Sequence, residues 1–290
     1  MSIAVMASGN LGYQILKHLE PRSVVSAVFT DKKSEGIIDW ATKNGVPCFA
    51  GNPRGGKASE FIANKKVDVL LSVNYLFIIE KDLIDWPNTA AVNLHGSLLP
   101  RYRGRTPHVW AIINNEVETG ITAHLITEGC DEGDIIKQLV IPIEKENTGA
   151  EILSQYVDLY PQLVDDVLAS IDNGTFEPKA QDESMATYFG KRTPDDGEIS
   201  WNWQKERIRN WVRAQASPYP GAFTWIGEHK VVIDKVEFDE FGFHQEMENG
   251  TVLSSDPLRV KTPNGVLRIT SLRNTDLRIT DKMKFENHAN

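Results

Sequence analysis

Cysteine is nearly missing from this chain. Its 290 residues hold two, Cys48 and Cys130, and they form no CxxC pair. That excludes a cysteine-built zinc ribbon and a disulfide-stapled scaffold, and both thiols read as reduced, as in a cytoplasmic protein. Excess positive charge is missing too. Lys and Arg number 31 against 40 Asp and Glu, a net charge of -9, so a long phosphate track is hard to build and nucleic acid is not the expected partner. No apolar run approaches the roughly 20 residues of a membrane helix. The opening MSIAVMASGNLG has no basic segment ahead of its apolar run and reads as a first strand, not a signal peptide. Internal repeats and low-complexity tracts are also lacking.

Two nucleotide motifs are each one residue short. SGNLG, after the first apolar run, is G-x-x-G and lacks a glycine of the dinucleotide fingerprint, although Asp31 ends the next apolar run where a ribose-binding acid would stand. It reads either as a tight turn or as a helix start whose free amides at Gly9 and Asn10 meet an anion. GNPRGGKA, residues 51–58, has Ala58 where a P-loop needs a hydroxyl for magnesium. That leaves a surface loop.

What is present alternates. IAVMA, VVSAVFT, VPCFA, VDVLLSVNY and TAAVNLH are short apolar runs separated by helix-like LGYQILKHLE, SEGIIDWATKNG and ASEFIANKK. Strands alternating with helices predict a Rossmann-like α/β fold, a mostly parallel sheet with helices on both faces. Thr106-Pro107 opens a helix with an N-cap and a first-turn proline. Thr148 and Glu151 make a capping box for a long helix ended by Gly174. After about residue 190 come short runs (AFTWI, KVVIDKVEF, TVLSS, LRVKT, VLRITSL) and the hairpin signal Asn264-Gly265. These predict a small OB-like β-barrel. The reading is two domains, 1–195 and 196–290, joined through KRTPDDGE, with a polar, loose tail of about a dozen residues.

Chemistry gathers in NLHGSLLPRYRGRTP, residues 93–107. Asn93 and His95 are two apart at the end of a predicted strand, so they share a side. Carboxyl ends of parallel strands are where ligands bind. A carboxamide and an imidazole there can stabilise an oxyanion, and the imidazole can take a proton near neutral pH. The arginines suit an anionic ligand or a clamp on the loop itself. An orienting acid comes from EGCDEGDII, which offers Glu128, Asp131, Glu132 and Asp134; spacing does not choose among them. No metal-ligand cluster is apparent, and no metal is expected.

Asn93-Leu94-His95-Gly96-Ser97-Leu98-Leu99-Pro100, then Arg103-Gly104 and Asp131-x-Gly133, resemble the signature of the formyltransferases that use 10-formyltetrahydrofolate. The resemblance extends through TYFGKRTPDDGEISW and VRAQASPYPGAFTWIGEHK, which are similar to the methionyl-tRNA branch of the family and, more closely, to the formyltransferases acting on UDP-4-amino-arabinose. It covers about residues 1–235, and the barrel beyond only loosely. It implies that Asn93, His95 and Asp131 are catalytic, with Asp131 fixing the imidazole tautomer and favouring its charged form. It implies 10-formyltetrahydrofolate as co-substrate, lying along residues 72–79 near Tyr75, Leu76 and Phe77.

GRTPHVWAIIN is similar to the sugar N-formyltransferases that act on nucleotide-linked amino sugars. The methionyl-tRNA branch of the family carries a long basic insertion after the second strand, where this chain reads FTDKKSEGIIDW. The expected acceptor is therefore a nucleotide-linked amino sugar, a dTDP-4-amino-4,6-dideoxyhexose by family wording. Such an enzyme would serve surface polysaccharide synthesis of the O-antigen or lipopolysaccharide kind. Lys191, Arg192 and Arg103 would neutralise the diphosphate, Tyr188 would stack on the base, and Gly9 and Asn10 would offer amides. The family adds the expectation of a homodimer through the small domain; no membrane contact is expected. The alternatives are a methionyl-tRNA formyltransferase and, from another class, a folate or dinucleotide binding protein or dehydrogenase.

Overall fold

The computed structural model describes residues 1–22, 24–273 and 276–288. In chain order these form β1 (Ile3–Ala7), α1 (Gly9–Leu19), β2 (Val25–Thr30), α2 (Glu35–Lys43), β3 (Cys48–Ala50), α3 (Ser59–Ile62), β4 (Val69–Val73), α4 (Lys81–Ile84), β5 (Ala90–His95), β6 (Arg103–Gly104), α5 (Pro107–Ile113), β7 (Glu118–Leu125), β8 (Ile135–Pro142), α6 (Gly149–Asp172), β9 (Tyr188–Phe189), α7 (Lys205–Ala214), β10 (Ala222–Ile226), β11 (His229–Asp239), β12 (Val252–Ser255), β13 (Leu258–Thr262) and β14 (Gly265–Arg273). They fall into two compact units. One comprises residues 1–104, 119–141 and 155–189, the other 105–118, 142–154 and 190–290.

The first unit is a seven-stranded sheet in the order β3-β2-β1-β4-β5-β7-β8. β3 through β5 run parallel, as short runs buried along their length require, while β7 pairs antiparallel with β5. Strand side chains alternate between faces. Ala4, Met6, Phe29 and Leu70 pack with Ala58, Phe61, Ile62 and Leu83 from the α3 and α4 region. Ala7, of the opposite parity, meets α1 so closely that a Cβ on Gly12 would lie 2.6 Å from its own Cβ. Both faces are thus covered, as the alternating pattern predicts.

The second unit carries an antiparallel sheet in the order β10-β11-β14-β13-β12. Thr262 faces Gly265 across the hairpin that Asn264-Gly265 signals. The tail departs from the expectation of a loose end. Trp225 of β10 exchanges backbone hydrogen bonds with Glu286 (3.0 and 2.8 Å), and the β12 end pairs with the same segment through Val252 N to Met283 O (2.8 Å) and Phe285 N to Gly250 O (2.8 Å). Residues 282–286 therefore join the two edges of the curled sheet, and Phe285 is buried beneath them. Backbone pairing is indifferent to polar side chains, so composition does not reveal this closure.

The capping box forms as read: Glu151 N donates to Thr148 Oγ1 (3.2 Å) and Thr148 N to Glu151 Oε2 (2.7 Å). Thr106 differs. It is left-handed (φ 51°) and makes no side-chain cap. Its carbonyl alone starts α5, accepting from Val109 and Trp110. Among the described residues no helix is long and apolar enough to cross a membrane.

Candidate active site

β5 delivers the centre. Its register sets Ser72 of β4 beside Asn93 on one side and His124 of β7 opposite Asn93 on the other. His95, two residues on, is buried. Its Nε2 lies 2.8 Å from the Tyr102 carbonyl oxygen. A carbonyl can only accept, so Nε2 carries the hydrogen and Nδ1 is the basic atom of the neutral ring. Nδ1 lies 3.5 Å from Asp131 Oδ2. This corrects one expectation: the Tyr102 carbonyl sets the tautomer, and Asp131 waits where an acquired proton would sit.

Asp131 is in the left-handed region (φ 55°), which turns its carboxylate back toward β5. Oδ2 also accepts from Gly104 N (2.9 Å), and Oδ1 lies 3.6 Å from His124 Nε2. Burial pushes this carboxyl up, but the neighbouring His95 and His124 rings and the Gly104 amide together outweigh it and hold Asp131 well below the usual carboxylate range. His95 is lowered: burial dominates over the opposing pull of Asp131 and the Tyr102 carbonyl. An ionised acid thus faces a neutral base, ready to receive a proton and to have it stabilised.

The loop between them is held from within. Thr122 Oγ1 donates to the Ser97 carbonyl (2.6 Å), Gln138 Nε2 to the Leu99 carbonyl (3.0 Å), and Tyr156 OH to the Gly96 carbonyl (2.7 Å). β6 then pairs parallel with β9. Gly104, at φ 99°, sits where a Cβ would lie 2.3 Å from the Phe189 carbonyl oxygen. Only glycine allows this approach, and the approach aims the Gly104 amide at Asp131.

Arg103 is the loop clamp, one of the two readings of that arginine. It is fully buried. It gives hydrogen bonds to both carboxylate oxygens of Glu183 (2.9 and 2.6 Å), to Gln181 Oε1 (2.7 and 3.2 Å) and to Tyr188 OH (2.5 Å). Gln181 in turn donates to the carbonyls of Asp131 (2.8 Å) and Gly133 (2.7 Å). The guanidinium therefore ties the 181–189 segment to the acid loop. It has no face left for a diphosphate, which corrects the substrate-contact expectation. Arg192 is half-buried: it lies near the Trp110 and Trp211 rings (5.0 and 4.4 Å), and its Nη2 donates to the Asp196 carbonyl (2.5 Å) and Gln215 Oε1 (3.2 Å). Lys191 is exposed. Tyr188 keeps an exposed ring over Arg103, and its hydroxyl donates to Glu132 Oε1 (3.0 Å).

Tyr75, Leu76 and Phe77 leave the carboxyl end of β4, next to β5. The Tyr75 ring meets Phe77 edge-on at 5.5 Å, and its enclosed hydroxyl has no partner. Leu76 and Ile78 remain exposed. The Tyr75 ring packs against the Met6, Phe29 and Leu70 cluster, with Asp31 and Cys48 near its hydroxyl. Gly9 and Asn10 start α1 at the end of neighbouring β1. The Gly9 amide is taken by Ser34 Oγ (2.9 Å), itself held by Asp31 (2.6 Å), while Asn10 is exposed. The structure thus brings Asn93, His95 and Asp131 together, sets 75–77 at the same sheet edge, and engages Arg103 elsewhere. Sequence reasoning missed His124. Its Nε2 is 3.1 Å from Asn93 Nδ2. The available signal was a histidine in the strand-like run TGITAHLIT. Among the described residues no His, Cys, Asp and Glu group could hold a metal ion.

A base opposed by a carboxylate beside a carboxamide can serve transfer of an acyl group, and the comparisons with known proteins bear on which one. The formyl transferase profile matches residues 1–168, and the formyl transferase C-terminal domain profile matches 191–289. The chain belongs to the formyl transferase family, a family of enzymes. Among curated proteins it is 31% identical over 283 residues to the bifunctional polymyxin resistance protein ArnA of Wigglesworthia glossinidia brevipalpis, covering 96% of this chain and 42% of that protein. The chain thus spans less than half of that relative. Among solved structures the fold is similar to WlaRD, a sugar 3N-formyl transferase solved in the presence of dTDP and 5-N-formyl-THF. The TM-score is 0.73 at 20% identity, over 95% of this chain and 98% of that one. It is also similar to the N-formyltransferase of Helicobacter canadensis in complex with folinic acid and dTDP-3-aminofucose, with a TM-score of 0.74 at 21% identity, over 94% and 100%.

Proposed function

We propose that this protein transfers the formyl group of 10-formyltetrahydrofolate to the amino group of a nucleotide-linked amino sugar, a dTDP-4-amino-4,6-dideoxyhexose, in surface polysaccharide synthesis. The observation that carries the reading is His95 Nδ1, bare and 3.5 Å from the Asp131 carboxylate, beside the Asn93 amide on a formyl transferase fold. The folate supplies an electrophilic one-carbon carbonyl when bound. The rest is the work of this chain's residues. The Asn93 amide faces the oxygen that gains charge as the neutral amine attacks. His95 Nδ1 takes the proton that the amine must shed, Asp131 stabilises the imidazolium, and the proton passes to the departing folate nitrogen.

The acceptor assignment is supported by the net charge of -9 and the short, mixed-charge FTDKKSEGIIDW. It is also supported by likeness to sugar N-formyltransferases along nearly the whole chain. Tyr188 remains the candidate for stacking on the base, Lys191 for the diphosphate, and Asn10 for an anion contact. Residues 75–77 remain the candidates for the folate. A division at 195/196, pairing of two copies through the C-terminal barrel and residence in the cytoplasm belong to the same reading.

The test is a screen of amino-sugar nucleotides with 10-formyltetrahydrofolate, read as gain of one formyl mass on the sugar. The panel includes dTDP- and UDP-linked, 3-amino and 4-amino sugars, with methionyl-tRNA as a separate arm. Formylation of a dTDP-4-amino sugar is expected. Formylation of methionyl-tRNA alone, or of nothing, overturns the proposal.

A further inference from the structure

His124 has no part in the reaction as derived so far, yet its surroundings are specific. It stands directly opposite Asn93 in the antiparallel β5–β7 pair, so the two side chains leave the same face of the sheet side by side. The ring is buried, and both of its nitrogens have partners. Nδ1 lies 2.8 Å from the Leu125 carbonyl oxygen. That oxygen can only accept, so Nδ1 carries the hydrogen, and in the neutral ring Nε2 is a bare lone pair. The neighbour of Nε2 at 3.1 Å is the Asn93 carboxamide, nitrogen foremost.

A bare Nε2 attracts an amide N–H and repels an amide oxygen. The ring therefore decides which end of Asn93 turns toward it. Nε2 is also 3.6 Å from Asp131 Oδ1, and Asp131 in turn faces His95. The end of Asn93 held by His124 is thus the end beside the reacting pair. Nδ2 has two hydrogens; one goes to Nε2 and the second remains to meet a developing oxyanion. The opposite rotamer would present an oxygen there and repel the same charge.

We propose that His124 is a positioning residue. Its Nδ1–H tautomer, locked by the Leu125 carbonyl, holds the Asn93 carboxamide with nitrogen rather than oxygen toward the His95–Asp131 pair. This rests on the formyl-transfer reading given above. It accounts for a buried imidazole near the end of β7, where an aliphatic side chain would pack without a hydrogen-bond requirement.

The experiment compares His124→Phe, His124→Gln, Asn93→Ala and the double variant His124→Phe/Asn93→Ala in kcat, both KM values and thermal melting. His124→Phe is expected to lower kcat about 10- to 100-fold, the usual loss when an orienting partner is removed, with both KM values unchanged. His124→Gln can still present an acceptor to Asn93 and is expected to recover most of kcat. The double variant is expected to equal Asn93→Ala, because His124 acts only through Asn93.

Additive losses in the double variant overturn the proposal, as does a His124→Gln no better than His124→Phe. Should the Phe variant fail to fold, ring-nitrogen NMR of the wild type decides instead: a protonated Nδ1 with a bare Nε2 supports the proposal, and the reverse tautomer ends it. The underlying reading fails separately, if His95→Ala turns over normally or the wild type transfers no formyl group. With those two behaving as expected, a full-rate His124→Phe removes only the His124 claim.

Discussion

Replacing Asp131 by Asn removes one charge while keeping the size of the side chain. The acceptor oxygen for the Gly104 amide can remain, and so can the bonds from Gln181 to the loop backbone. The fold should therefore persist. What is lost is the attraction between the carboxylate and an imidazolium at 3.5 Å, with side chains only 7% and 15% exposed. At an effective dielectric of about 20 that pair is worth about 5 kcal/mol for a full charge. With roughly half the proton transferred at the transition state, the loss is about 2–3 kcal/mol, or ~10²-fold in kcat. The assay is single-turnover formyl transfer at saturating concentrations of both substrates, with circular dichroism as the check on folding. The pH profile supplies a second sign. Burial lowers the His95 pKa and Asp131 raises it, so removing the carboxylate lets it fall further and moves the acid limb of kcat to lower pH. A folded Asp131→Asn enzyme within about threefold of the wild-type rate, with an unmoved acid limb, refutes the reasoning.

Other consequences follow from the same contacts. Arg103→Lys cannot reproduce the fork onto Glu183 and Gln181; it should lower the melting free energy by about 2–3 kcal/mol and leave the KM for the nucleotide substrate within a few-fold. A large selective rise in that KM would return the arginine to the substrate. His108 is buried, with its pKa pushed down to about 4 by burial. Below its ordinary 6.5 the unfolded chain takes a proton that the fold refuses, so stability falls as pH drops from about 6.5 to 4, by about 3 kcal/mol. His108→Gln should flatten that window in urea titrations at stepped pH, and an unchanged slope contradicts this assignment. Phe285→Ala should cost about 3–4 kcal/mol, because the ring is 1% exposed and packs on Trp201 at 5.3 Å. A change below about 1 kcal/mol in denaturant unfolding would mean that the tail is not part of the barrel.

The sequence already carries Asn93 and His95, because two-residue spacing at the end of a strand fixes their side and the strand position fixes the sheet edge. Asp131 needed family resemblance. Four acids share its loop, and what singles it out is three-dimensional: a left-handed backbone and an amide aimed from Gly104. Arg103 reads as a ligand contact in the sequence for a plain reason. A cation in a loop reads the same whether it faces a ligand or its own chain, and the partners of Arg103 lie 78 to 85 residues away. His124 was overlooked because its meaning depends on register with β5, which follows only once β7 is known to run antiparallel. The tail was misread because closure is made by backbone groups, with Phe285 as the apolar anchor in KMKFENH.

The central claim is that the bare Nδ1 of His95, opposed by Asp131, is the base for formyl transfer. Its most direct test follows a labelled formyl group from 10-formyltetrahydrofolate onto an amino-sugar nucleotide, with wild type and His95→Gln run side by side. The account predicts transfer by the wild type and a loss of at least ~10²-fold in the variant at equal folded concentration. Equal rates from the two proteins would contradict it.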